Sequence, residues 1–584
     1  DLEKALRYFL KSRDYLAAES VIIEVGPRLL ALNRTMTLQN VLADIPDDAI
    51  SSWPWLCYFK AIASLDQNPF LALTLLERAL AEFVAADDYV GELLALGSKI
   101  YFHIAFDGRL EFGARLLTRA HALFASWADA LPVSARIMVA QHLAMGFCWF
   151  DRDLIQSDSY TSLALRMSQE HGLHDATALV RVIRCYQFCF SGNWAGFRRE
   201  IEASLPLLKM ATVSTRSKIC LEFSQVNLLF MEGDFFNYRE KRLQLERGRE
   251  LLARMILGPF LFRIDIEMAI AEGRYADALE DAMRGLATGP VAANPHLRSL
   301  FLQFYGYALA ALGQSAKAIE ALQESLRLRA LAGGRMFILL NEMVVGAALA
   351  RLGMDDPALR HLDTALSLAD QSGDAVVKAG ALAHRASVLL RRDRPAALDT
   401  IRALLQTITQ TEYRHFFCWD PVVMRTVLSA AVDAEVMAEE ARRLAALRLD
   451  MALLPHGNAV SILRIRLLGG LAMELDGTRT VSGEALTPVQ RELLAMLATS
   501  PSLSLSQTEI QVVMWPDSPP DRSRAAFDTL LSRLRKFLDK AFAPGSSKPY
   551  LSLQKSVLRL ENCQVDAREM FDLLKIGLRH VKRH

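Results

Sequence analysis

Residues 486–497 read Leu-Thr-Pro-Val-Gln-Arg-Glu-Leu-Leu-Ala-Met-Leu. Residues 506–516 read Ser-Gln-Thr-Glu-Ile-Gln-Val-Val-Met-Trp-Pro. Residues 521–538 read Asp-Arg-Ser-Arg-Ala-Ala-Phe-Asp-Thr-Leu-Leu-Ser-Arg-Leu-Arg-Lys-Phe-Leu. Each segment predicts a helix. Thr487 opens the first, with Pro488 at the first helical position, where a missing N–H costs nothing. Gln490 lies three residues on and closes a capping box. Leu493, Leu494 and Leu497 then recur at helical spacing. Ser506 and Glu509 form a second capping box. Ile510, Val513 and Met514 give that helix its apolar face, and Pro516 ends it. Pro519 and Pro520 precede the third helix, for which Asp521 is the expected N-cap.

The third helix has two faces. Phe527, Leu530, Leu531, Leu534, Phe537, Leu538 and Ala541 make a continuous apolar stripe. At about 100° per residue the opposite side collects Arg522, Ala525, Thr529, Ser532, Arg533, Lys536 and Lys540. Small residues allow close approach to a duplex, and Arg or Lys can reach base edges and phosphates. Downstream, Tyr550–Leu553 and Val557–Leu560 alternate apolar and polar residues, as paired strands do. Gln554, Lys555 and Ser556 form the tip, where a cation suits a phosphate or a narrow minor groove. Upstream, Leu463-Arg-Ile-Arg-Leu-Leu and Leu471-Ala-Met-Glu-Leu are two more strands joined at Gly469-Gly470, and Asp476-Gly477 is a turn. A basic amphipathic helix alone is more often a solvated face. The two capping boxes, the Trp-Pro stop, the hairpin and the flanking strands together favour DNA binding.

The preceding residues carry a period. Turn residues fall at Gly192, Gly233, Gly273, Gly313, Gly353 and Asp393, with weaker members at Asp66, Gly108 and 151–153. The first six are separated by 41, 40, 40, 40 and 40 residues. Apolar helical stretches flank each turn, and Ala276, Ala278, Ala316, Ala318, Ala358 and Ala397 follow the turns, where small residues let two helices approach closely. A fixed period with two helices per unit predicts an α-solenoid. Residues 1–60 are expected to be helical, with a turn at Arg13-Asp14, and Phe416–Leu447 to form a helical cap. Leu454-Pro-His-Gly-Asn-Ala reads as a linker.

A chain of 584 residues is too long for one compact core. The formal net charge is +1 and is unevenly spread. Of the 67 Lys and Arg residues and the 66 Asp and Glu residues, 18 and 13 lie from Ser461 onward, so this segment carries +5 and the rest −4. The basic share coincides with the proposed DNA reader, as phosphate contact requires. The 7 cysteines are odd in number and contain no Cys-x-x-Cys. Cys185 and Cys189 are expected to pack as small apolar side chains, and a reducing cytoplasm fits. Met336–Ala350 is the most apolar run, but Asn341 and Glu342 interrupt it, so no membrane span is expected. No signal peptide is found.

The order strands, three helices, hairpin resembles the OmpR-type winged helix of bacterial activators of the antibiotic-regulatory class. The resemblance covers 461–566 and rests on Leu486-Thr-Pro-Val-Gln, Met514-Trp-Pro-Asp-Ser-Pro-Pro, Leu531-Ser-Arg-Leu-Arg-Lys and Val565-Asp-Ala. It implies that the third helix recognises DNA while the wing touches the backbone. The candidate contacts are then Arg522, Arg524, Thr529, Ser532, Arg533, Lys536, Lys540 and, in the wing, Lys555. The Gly313 repeat resembles a tetratricopeptide repeat, and the array resembles the effector-responsive solenoid of MalT-like regulators. Those regulators carry an ATPase upstream, which here would precede Asp1. The antibiotic-regulatory class continues into a helical activation region, whose first helix would be 567–584.

No Gly-x-x-x-x-Gly-Lys-Ser/Thr, His-Glu-x-x-His or Gly-x-Ser-x-Gly motif occurs. His171 and His174 have a spacing that can hold a metal, but a polar inter-helix loop is the better reading. Trp53, Trp55, Phe416, Phe417 and Trp419 can line a ligand groove, though aromatics between helices are more often core. No catalytic residue, cofactor or metal site is assigned.

The sequence therefore predicts a mainly α protein. An α-solenoid of roughly 40-residue helical hairpins spans 1–455, a linker follows at 456–460, and a small α+β winged helix covers 461–566. The expected role is a cytoplasmic transcriptional regulator, not an enzyme. Its partners would be double-stranded DNA, RNA polymerase and an effector or protein on the solenoid, with homo-oligomerisation on repeated half-sites. The alternative is a solenoid scaffold whose C-terminal domain docks proteins.

Overall fold

Ala278, Ala318 and Ala358 are fully buried and stand 40 residues apart. Each lies one turn into a helix: Tyr275–Leu286, Ser315–Ala332 and Asp355–Ser372. The neighbouring helices Pro295–Ala311 and Arg335–Arg351 place Gly306 and Gly346 against the second and third of these. A Cβ on Gly346 would lie 2.7 Å from Leu362 Cγ and 3.1 Å from the Ala358 carbonyl oxygen. Backbone approach this close sets the repeat. Ala397 is buried in the same way, whereas Ala276 and Ala316 are exposed. At those two turns only the second alanine of each pair packs between helices.

The computed structural model describes the chain apart from residues 1, 32–33, 44, 47–49, 51, 249–251, 253–254, 478, 543–544, 546, 572–573 and 575–584. It contains two compact units, Asp1–Met424 and Arg425–His584. The first is a long run of antiparallel helical hairpins. The glycines at 192, 233, 273, 313 and 353 have φ between 68° and 75°, a left-handed turn that ends the first helix of a hairpin and leads into the second. Asp393 takes the sixth turn differently: its carboxylate accepts the Ala396 N–H at 3.1 Å as an N-cap. Two π-helical turns, His103–Asp107 and Phe147–Asp151, precede left-handed Gly108 and Arg152.

The first unit closes on itself. Arg152 pairs with Asp374 at 2.8 Å, and both side chains are buried. The same guanidinium donates to the carbonyls of Ser372 (2.8 Å) and Phe190 (2.5 Å). Asn294 Nδ2 donates to the Phe106 carbonyl at 3.0 Å, and the rings of Trp149 and Phe337 meet 5.5 Å apart. Residues more than 180 positions apart thus touch. Asn341 is buried inside the apolar 336–350 run, where its amide donates to Gln303 and Ser325, each at 2.8 Å. No helix among the described residues is long and apolar enough to cross a membrane.

In the second unit, helix Ala438–Leu449 leads into a hairpin of β1 (Met451–Leu453) and β2 (Ala459–Ser461). Residues 454–458, expected as linker, form its loop. Next come β3 (Leu463–Arg466), β4 (Ala472–Leu475) and β5 (Arg479–Ser482), then the helix Pro488–Thr499. Strand β6 (Ser504–Ser506) precedes the helix Gln507–Met514, and the helix Pro520–Ala541 follows. Last are β7 (Leu551–Gln554), β8 (Val557–Leu560) and β9 (Cys563–Val565). The sheets have orders β5-β4-β3-β9 and β6-β8-β7. Strand β9 runs parallel to β3, pairing Leu463 with Cys563. Beyond it, 566–571 are helical, and the rest of the predicted 567–584 helix, apart from Leu574, lies outside the described residues.

Removing the Asp374 carboxylate strands a buried guanidinium, which costs about 3–5 kcal/mol. Gly313 has open space around it, so Gly313→Ala meets only the strain of its left-handed backbone, about 1 kcal/mol. Chemical denaturation of the two variants is expected to lower the repeat unit's midpoint far more for Asp374→Ala than for Gly313→Ala.

Candidate nucleic-acid interface

Both predicted capping boxes are present. The Thr487 N–H donates to Gln490 Oε1 at 2.9 Å, and the Gln490 N–H returns to Thr487 Oγ1 at 3.4 Å. The Ser506 N–H donates to Glu509 Oε2 at 2.7 Å, and the Glu509 N–H to Ser506 Oγ at 3.1 Å. The second helix stops at Trp515 before Pro516. The third starts at Pro520 with Pro519 as its cap. Asp521 is therefore in the first turn and is not the N-cap: Pro520, with φ already fixed, takes the first helical position.

The third helix carries its unit's core. Phe527, Leu530, Leu531, Leu534 and Leu538 are buried against Leu493, Leu494, Leu497, Ile510, Ile465, Met473 and Leu558. Phe537 and Ala541 pack at the margin. The second helix inserts Ile510 and Met514 only; Val513, expected on its apolar face, is 57% exposed beside Val512 at 63%. Eight residues give that helix about two turns, so one or two side chains suffice to anchor it.

With the apolar stripe committed inward, the opposite side must face solvent. Arg522, Thr529, Ser532, Arg533, Lys536 and Lys540 are all exposed. None of these cations is held in an ion pair among the described residues. Thr529 Oγ1 donates to the Ala525 carbonyl at 2.8 Å, which leaves its lone pairs outward. Arg524 is exposed too. At about 100° per residue, however, it stands off the stripe, on the flank that carries Asp521 and Asp528. Helical spacing thus joins six of the seven candidates on this helix into one surface.

The hairpin supplies the eighth. Gln554 pairs with Val557, so Lys555 and Ser556 form a two-residue turn, with φ of 49° and 60°. Positive φ at both positions is the type I′ geometry, whose twist matches the strands. Lys555 is exposed at its corner. The turn is tied down: the Gln507 N–H donates to the Ser556 carbonyl at 2.7 Å. At the other end Arg535 donates to the Leu551 carbonyl at 2.9 Å, fixing the hairpin to the third helix. Arg535 thus serves the fold. Arg559, exposed on β8 between Ser504 and Ser552, is a further cation that the sequence reading passed over because alternation marks it only as an outward strand position. The Val565-Asp-Ala segment also acquires a reason: the Asp566 carboxylate accepts the Leu467 and Leu468 N–H groups at 2.8 and 3.1 Å.

The other sequence candidates lie in the first unit. His171 and His174 turn their Nδ1 atoms to the Met167 carbonyl (2.9 Å) and Thr212 Oγ1 (3.0 Å). Phe416, Phe417 and Trp419 are buried, while Trp55 is half-buried and meets Asp88 at 3.0 Å. Cys185 and Cys189 are buried free thiols.

No family model matches the chain. Over 75 residues it is 39% identical to the transcriptional regulatory protein EmbR of Mycobacterium bovis, and equally to EmbR of two strains of Mycobacterium tuberculosis. The alignment covers 13% of this chain and 19% of each relative, so the chain spans about a fifth of the length of the curated relatives it matches. Part of the chain is therefore similar to a transcriptional regulator.

Two outcomes follow from this geometry. Ser556→Gly removes a Cβ from a left-handed position, and is expected to raise the unit's stability by about 1 kcal/mol in thermal unfolding. Accepting the Ser506 N–H holds the Glu509 carboxyl below its usual range. Its contribution is therefore present above the carboxylate's unfolded pKa and lost as pH falls through the folded value. Melting curves from about pH 6 to about pH 3 are expected to show a smaller acid loss for Glu509→Gln than for the wild type.

Proposed function

We propose that the protein is a cytoplasmic transcriptional regulator whose C-terminal winged helix binds double-stranded DNA. In this reading the third helix lies in the major groove, and the β7–β8 wing sets Lys555 on the backbone. The observation that carries it is the exposed cationic stripe Arg522–Thr529–Ser532–Arg533–Lys536–Lys540, unpaired among the described residues, on a helix whose other side is locked into the core. The likeness to EmbR supports a regulatory role. The helical-repeat unit is the sensing or docking arm, as in the MalT-like regulators it resembles. Its occupant shifts self-association or frees the winged helix for repeated half-sites. No catalytic step is assigned.

A protein-docking role has one observation in its favour, the exposed Val512–Val513 pair on the second helix. In the regulator reading, that face serves RNA polymerase. In the scaffold reading, it would be the main interface.

Titration of the full chain against random duplex DNA at two salt concentrations separates the two. A DNA reader loses affinity steeply as salt rises, because each neutralised phosphate releases counterions with a slope of about 0.9. Arg533→Ala and Lys536→Ala are expected to weaken binding, each reducing the slope by about one contact where it meets phosphate. Absence of binding at low salt would transfer the function to protein docking.

A further inference from the structure

A cavity of about 250 Å³ lies inside the helical-repeat unit. Its walls are mostly apolar, with the rings of Tyr101, Phe106, Trp149 and Tyr186 among them. Methionine side chains from Met138, Met145 and Met255 complete much of the rest, and such unbranched chains adapt to varied shapes. A cavity of about 150 Å³ admits benzene, so this one has room for a two-ring compound.

The polar groups are few and converge. His142 stacks on Tyr101 with ring centroids 5.0 Å apart, and burial pushes its pKa down to about 4, so it is neutral. Burial likewise pushes the Cys220 thiol up to about 12, and the Tyr101 and Tyr186 hydroxyls upward. All four are uncharged near neutrality. Among the described residues Arg216 is the remaining ionisable lining group, and its charge is secure because Tyr101 and Asp66 beside it push its pKa up. It donates to Tyr101 Oη at 3.3 Å and pairs with Asp66 at 2.8 Å. That ion pair is part-exposed, 36% and 52% for the two side chains, so an anion entering the cavity can take the guanidinium from Asp66 at little cost. Gln141 lines the same wall; its Nε2 is engaged with the Ala176 carbonyl at 3.1 Å, which leaves its amide oxygen as an acceptor.

We infer that this cavity is a binding site for a small aromatic carboxylate, its rings between Tyr101, Trp149 and Tyr186 and its carboxylate on Arg216. Aromatic walls favour a planar guest through offset and edge-to-face contacts. A single cationic lining group among the described residues favours one acidic substituent, and a guanidinium matches a carboxylate bidentately. The inference gives a ligand class to the sensing role proposed above. The binding itself does not rest on the C-terminal unit, so a titration without DNA keeps the two readings apart.

Calorimetric titration of the full chain with 1-naphthoate and with neutral 1-naphthalenemethanol tests it. The carboxylate is expected to bind saturably, one per chain, on the order of tenfold or more tighter than the alcohol. Arg216→Gln is expected to abolish that preference while the alcohol's affinity stays within about twofold. Tyr101→Phe, which keeps the ring and the Arg216–Asp66 pair, serves if Arg216→Gln disturbs folding by circular dichroism; it is expected to weaken the carboxylate only. Failure of the wild type to bind either compound saturably overturns the inference. So does equal affinity for the two, or a carboxylate preference that survives Arg216→Gln in a folded protein.

Discussion

The apolar stripe of the Pro520–Ala541 helix is the constraint on which the C-terminal unit depends. Phe527, Leu531, Leu534 and Leu538 join the four-stranded sheet, the first two helices and the hairpin in one core. Because that stripe cannot rotate without exposing the core, the polar side is fixed outward. Arg535 and Asp539 add polar ties on the flanks, to the Leu551 carbonyl and the Ser547 N–H. A surface held this rigidly can meet a duplex without first being ordered, which spares the entropy that a disordered basic segment would lose on binding.

The helical-repeat unit obeys a different constraint, the burial of small residues at Ala278, Ala318, Ala358 and Ala397, with close approach of backbones at Ala318 and Ala358. Small residues at one register bring each helix pair together; charged and polar residues then fix how distant repeats meet. The Arg152–Asp374 pair and the Asn341–Gln303–Ser325 network are buried and specific in partner. An array of identical apolar surfaces can slide in register, and polar groups that must find one partner oppose this.

Features governed by short-range spacing were legible in the sequence. The capping boxes join residues three apart. The hairpin closes locally, although the expected three-residue tip 554–556 narrows to Lys555 and Ser556 because Gln554 pairs with Val557; the left-handed glycines repeat at a fixed interval, and the third helix repeats its apolar positions. Features governed by distant partners were not. Strands β5, β6 and β9 are three or four residues long, and β9 pairs with a strand a hundred residues earlier. Nothing local marks Ser504-Leu-Ser as a strand. Asp521 was displaced as cap by a proline whose ring already fixes the helical φ, and Val513 by the shortness of its helix. Six of the eight DNA candidates could be grouped on a face by helical spacing, whereas the interior cavity draws its walls from residues 101 to 257, each of which reads alone as ordinary helix core.

Site-directed cross-linking tests the central claim most directly. With p-benzoylphenylalanine placed at Ser532 in the full chain, irradiation with duplex DNA at low salt is expected to give a covalent protein–DNA adduct. The same photoprobe at exposed Ala276 of the repeat unit is expected to give none. A chain that holds duplex but cross-links from 276 and not from 532 would contradict the account, because the outward face of the third helix would then not be the surface that meets DNA.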